Sequence, residues 1–208
     1  MTPRHRSIVG LILLAAVAAA ARHAGAEIID RVLAVVDGVP ITQSDATAVM
    51  RLNLAPGPGA AAAGTIPAVR DALVERQLIL AEVDRYAPPA PADADVDRAF
   101  DAVRTRVGAA QMDATLLQTG GNAAQVRRYL RDTLRMQLYM AQRFGTVQPG
   151  EADIADYYRS HAAEFGSRNM SEARDAIIAA LTRERRDSLV REWIASLRRR
   201  ANISILPG

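Results

Sequence analysis

The chain has 208 residues with no cysteine, no lysine and three histidines, and its 26 arginines stand against 23 acids. Without cysteine there is no disulfide framework, thiol nucleophile, cysteine-ligated zinc or lipid-modified thiol, and without lysine there is no Walker-type phosphate loop. Arginines 4, 6 and 22 precede Glu27 and no acid does, so the remainder carries 23 of each sign and its formal neutrality removes the main electrostatic argument for a nucleic-acid partner.

The first 26 residues predict a cleaved secretory signal. Arg4 and Arg6 form a basic start, Ile8 to Ala21 is an apolar run, and Ala24-Gly25-Ala26 is an A-x-A cleavage site. The run has 14 residues, short of the ~20 that span a bilayer, so no stable membrane insertion is expected after cleavage. The mature region, 27–208, suits a single domain.

Arg31 to Thr42 predicts a tight β-hairpin, with two-residue turn chemistry at Asp37-Gly38 and with Pro40 confining its strand to a sheet edge. A first helix is expected over Ser44–Leu54, then a flexible low-complexity linker at Ala55–Gly64. Thr65 and Pro67 open a second helix through Tyr86, with Val69, Leu73, Leu80 and Val83 on a buried stripe and Leu78-Ile79-Leu80 implying burial over more than one face. A third helix starts near Asp93 with acids in its first turn and carries Val96, Phe100, Val103 and Val107. A short helix over Gln111–Gln118 ends at Gly120-Gly121.

Asn122 caps a helix to Phe144 whose predicted stripe is Val126, Leu130, Leu134, Leu138 and Ala141, with Tyr129, Met136 and Met140 beside it. Another helix covers Glu151–Ala162, where His161, the one histidine after the signal, fits an exposed helix end better than a catalytic centre. From Ser171 a last helical region reaches Arg200, as one helix or two; its apolar residues form two groups, Ile177, Ile178 and Leu181, then Leu189, Val190, Trp193, Ile194 and Leu197, with a solvated centre over Thr182–Ser188. Asn202–Leu206 reads as a lone strand. Such a strand leaves its backbone groups unsatisfied unless it pairs with the hairpin, so the ends of the chain are expected to meet, covering Val35, Val39 and Ile41. The fold class is mainly α, with a small antiparallel sheet made by the N-terminal hairpin and the C-terminal strand.

Several of these segments carry a resemblance. Val32–Asp45 is similar to the opening VAAVVNxxVIxxSD of the SurA family of periplasmic chaperones, Leu73–Leu80 to its ERLIxxxLI helix, Ile154–Phe165 to its VxxYYxxHxxEF segment, and Trp193–Leu206 to its final helix and strand. In that family the tyrosine-rich segment leads into one or two parvulin prolyl-isomerase domains. Here only five residues separate Phe165 from Ser171, so the isomerase residues have nothing to map onto and the chain resembles the chaperone core alone.

The resemblance implies a periplasmic, ATP-independent holdase that binds unfolded envelope or outer-membrane proteins, needs no cofactor or metal and has no catalytic residues. The alternative is an adaptor of the same fold with one dedicated envelope partner; a homodimer is left open by both. The family binds clients in a cradle between the hairpin and the tyrosine-rich segment. From the chain itself the candidates are Met112, Leu116 and Leu117 on the short glycine-bounded helix and Tyr129, Met136 and Met140 on the next, because flexible apolar side chains suit a promiscuous surface. The competing use of all six is ordinary core.

Overall fold

The computed structural model describes residues 30–54, 64–145 and 148–207; the expected signal and nearly all of the expected linker lie outside the described residues. The hairpin forms from β1 (Val32–Val36) and β2 (Val39–Thr42), joined by Asp37 and Gly38 at φ 47° and 85°. Positive φ at both turn residues matches the right-handed twist of the flanking strands. Between Val32/Thr42 and Ala34/Ile41 the register shifts, so Leu33 is an extra residue on β1, which lets Leu33 and Ala34 both be buried.

The C-terminal strand β3 (Ile203–Ile205) pairs antiparallel with β1, giving the order β2-β1-β3 and joining the two ends of the described chain as the sequence requires. Asp37 N–H donates to the Asn202 carbonyl at 2.9 Å, Leu206 N–H to the Leu33 carbonyl at 3.0 Å, and the Arg31 guanidinium to the Pro207 carbonyl at 2.8 Å. Val39 is nonetheless exposed and Val35 half-buried; the covered residues of the hairpin are Leu33, Ala34, Val36 and Ile41.

Successive residues of a strand turn their backbone groups to opposite edges. With Val35 opposite Ser204 and the two flanking bonds at Asn202 and Leu206, alternate positions 202, 204 and 206 face β1. The N–H and C=O of Ile203 and Ile205 therefore point to the outer edge. On the other side Pro40 sits opposite Val35, so Pro40 also faces outward, where its missing N–H costs no ladder bond.

Eight helices follow the hairpin among the described residues. The first, α1 (Gln43–Arg51), starts at a Thr42 capping box: Asp45 N–H donates to the Thr42 hydroxyl at 3.2 Å and Thr42 N–H to the Asp45 carboxylate at 2.9 Å. Helix α2 (Ile66–Tyr86), begun by Thr65 and Pro67, buries Val69, Leu73, Val74, Leu78, Ile79 and Val83. Those positions wrap well beyond one stripe because α2 touches the sheet and helices on several sides. The acidic first turn of α3 (Asp93–Val107) precedes a buried row of Val96, Phe100 and Val103. Gly108, at φ 88°, turns the chain into α4 (Ala109–Thr119), and Asn122 with Gln125 forms the capping box of α5 (Ala123–Phe144).

The predicted stripe on α5 is rotated. Leu138 and Ala141 face solvent, and the buried residues are Val126, Leu130, Met136, Tyr139, Met140 and Phe144. Each four-residue step overshoots a full turn by ~40°, so a stripe drawn through positions 126, 130, 134 and 138 drifts ~120° off the core. The true face runs through Thr133, whose hydroxyl hides it from an apolar pattern.

The expected helix over Glu151–Ala162 divides into α6 (Glu151–Ser160) and the single turn α7 (Ala162–Phe165). The last helix, α8 (Met170–Arg200), is continuous, capped by Asn169 with Glu172 two residues before Ser171. Its 31 residues span about 46 Å and join two separate cores. Trp193, Ile194 and Leu197 belong to the main core with the sheet and α1 to α5; Ala173 and Ile177 form a small core with Ile154 and Phe165. Between them Arg183 to Asp187 are exposed, as the apolar grouping predicts, with Arg185 reaching Asp153 on α6 at 2.9 Å.

Candidate polypeptide-binding surface

The six candidate side chains do not form one accessible surface. Met112, Met136 and Met140 are 2%, 1% and 6% exposed and sit inside the main core, while Leu116 and Tyr129 are partly buried against it. Leu117 alone is open, at 83% exposure. On α4 the reason is that the helix buries a narrow face, Met112 and Thr115, against its neighbours α1 and α3, and Leu117 lies away from it. On α5 the rotation of the buried face carries Met136 and Met140 inward. A client surface built on the three methionines is therefore corrected: they fill core.

Tyr129 has a different function in the packing. Arg76 on α2 is 4% exposed, and its guanidinium lies 3.7 Å from the centre of the Tyr129 ring while donating to the Tyr129 carbonyl at 2.8 Å and the Thr133 hydroxyl at 3.0 Å. The planar guanidinium suits this site because it can stack and donate sideways at once. Burial weakens the Arg76 proton's hold, opposed by Tyr129 and Asp132. Burial also pushes the Tyr129 phenol up to about 12, opposed by Arg76. A group whose folded pKa is raised supplies stability below its unfolded pKa, near 10, and loses it as pH rises through 12. Stability should fall by roughly 2 kcal/mol between pH 10 and 12, and Tyr129→Phe should flatten that part of the profile in denaturant titrations; an unchanged slope in the variant would assign the loss to other groups.

An aromatic row lies where the ends of α2 and α5 meet α8. Tyr86 and Tyr139 are 5.7 Å apart between ring centres, Tyr139 and Trp193 5.9 Å, and Trp193 and Phe144 5.5 Å. The Arg143 guanidinium is 5.3 Å from the Trp193 ring and donates to the Tyr139 hydroxyl at 3.3 Å. Tyr86, at 60% exposure, is the open end of the row. This group of amphipathic rings beside a cation was missed in the sequence because its members are more than fifty residues apart in two steps, from Tyr86 to Tyr139 and from Tyr139 to Trp193.

The small core holds a second aromatic group. Tyr157 stacks on His161 at 4.0 Å and Tyr158 on Phe165 at 5.5 Å, and the Tyr158 hydroxyl donates to the Arg168 carbonyl at 2.9 Å. His161 caps α6 half-exposed, its Nδ1 3.0 Å from the Tyr157 carbonyl oxygen, in agreement with its reading as a helix-end residue. These contacts join α6 and α7 and follow from the Tyr-Tyr-x-x-His-x-x-x-Phe spacing, which places all four rings on adjoining turns.

Described helices of the chain include none long and apolar enough to cross a membrane. Among known proteins, no family model matches this sequence and no curated protein matches it.

Proposed function

We propose that the chain is an ATP-independent holdase of the periplasm, which binds unfolded envelope polypeptides and has no prolyl-isomerase activity. The observation that carries this reading is the element order: a hairpin, helices, a tyrosine-rich helix, then a long helix and a strand that returns to the hairpin. That order is what the resemblance to the SurA chaperone core implies, and the turn from Phe165 to Asn169 is too short for an inserted isomerase domain. Accessible apolar groups such as Leu117 and Tyr86 offer contacts to a non-polar client, and exposed arginine–carboxylate pairs such as Arg135–Asp84 and Arg198–Glu75 keep the surface solvated.

The test uses several unrelated outer-membrane β-barrel precursors diluted from denaturant with and without the purified protein. Suppression of aggregation for most of them, without ATP, supports the holdase. Stable binding of one folded envelope protein and no suppression would establish the dedicated adaptor instead. In a protease-coupled proline-peptide assay the protein should leave the uncatalysed rate, of tens to hundreds of seconds, unchanged.

A further inference from the structure

The structure points to a specific mode of client capture that rests on the holdase reading: we propose that the outer edge of β3 receives an extended segment of unfolded polypeptide as an added strand. The N–H and C=O of Ile203 and Ile205 face this edge and have no partner among the described residues. Among the described residues nothing covers it: Ser204, Ile205 and Leu206 are exposed, Ile205 by 48%. The opposite edge of the sheet is unsuited to the same use, because Pro40 faces it and offers no donor.

Backbone pairing is indifferent to sequence, which is the property a receptor for varied unfolded chains needs. Ile203 and Ile205 project to one side of the strand and Ser204 and Leu206 to the other, so an added strand finds an apolar neighbour on each face. The size of the edge selects the occupant. Three residues make an edge of about 10 Å, and pairing along it buries far less than the roughly 1,000 Å² of a stable protein interface. A second copy held only there would not persist, whereas a client that must be released requires weak contact.

The probe is a fluorescent, soluble octapeptide of alternating valine and threonine, tested by anisotropy with the full protein. N-methylation of alternate residues along one edge should leave binding within about twofold, since the peptide can present its other edge. Methylation along both edges should weaken it about tenfold or more, the equivalent of losing one to two net hydrogen bonds. Ile205→Pro removes the outward donor without touching a bond to β1 and should weaken binding by the same factor. Ile205→Thr keeps the donor and should bind as the original does.

No binding of the unmethylated peptide overturns the proposal. So does equal binding after methylation of both edges, or an Ile205→Pro protein that is folded by circular dichroism and binds fully. A dimer that Ile205→Pro converts to monomer, with peptide binding insensitive to methylation, would assign the edge to a second copy and also overturn it. The two readings fail separately. Aggregation suppression that persists in Ile205→Pro leaves the holdase standing without strand addition; methylation-sensitive binding by a protein that suppresses no aggregation leaves the edge standing and removes the holdase.

Discussion

Truncation before Asn202 should destabilise the whole main core, by at least about 3 kcal/mol, and lower the melting temperature by roughly 6–12 °C for a chain of this size. The deletion removes the β1–β3 ladder, the bonds from Asp37 N–H to Asn202 and from Leu206 N–H to Leu33, and the Arg31 contact with Pro207. It turns β1 from the central strand into an edge. Ala34 and Val36, which are fully buried, then adjoin an open edge, and Ile203 no longer packs on the core. Calorimetry of the truncated protein measures the effect; a melting temperature within 1–2 °C of the full chain would show that the last strand is only a tail.

Met136→Ser should cost about 3–4 kcal/mol, because it empties a site that is 1% exposed and puts a polar hydroxyl into an apolar core. Leu117→Ser should change stability by no more than about 0.5 kcal/mol, since its side chain is already in water. The pair separates core from surface within two adjoining helices. If Leu117 contacts clients, its replacement lowers holdase activity at constant melting temperature, and denaturant midpoints of the two single variants provide the control. A Met136→Ser protein as stable as the original would return that residue to the list of surface candidates.

Local chemistry made much of the fold legible. Asp37-Gly38 specifies its hairpin turn because both residues tolerate positive φ, and Asn122 at the start of α5 satisfies the same donors in any tertiary context. Pro40 marks an edge strand since it has no N–H to give. The lone strand at the end of the chain had to pair, and with no other strand in view it had one available partner. The two apolar groups on the last helix predicted two packed ends and a solvated centre, which the two cores and the exposed Arg183 to Asp187 reproduce except at Leu189, which is exposed with that centre.

What the sequence left open was which face of a helix meets which neighbour. Met136 and Met140 lie at the margin of the apolar pattern, but the inward face of α5 passes through polar Thr133, which accepts from the buried Arg76 of α2. The extra residue at Leu33, the aromatic row from Tyr86 to Phe144 and the outward backbone groups of Ile203 and Ile205 share that origin. Each depends on register between segments far apart in the chain, and neither period nor propensity contains that information. Hydrophobic pattern, caps and turns are local energies and can be read in order along the chain; burial of a particular side chain is decided by the partner surface, which exists only once the helices and the two chain ends have come together.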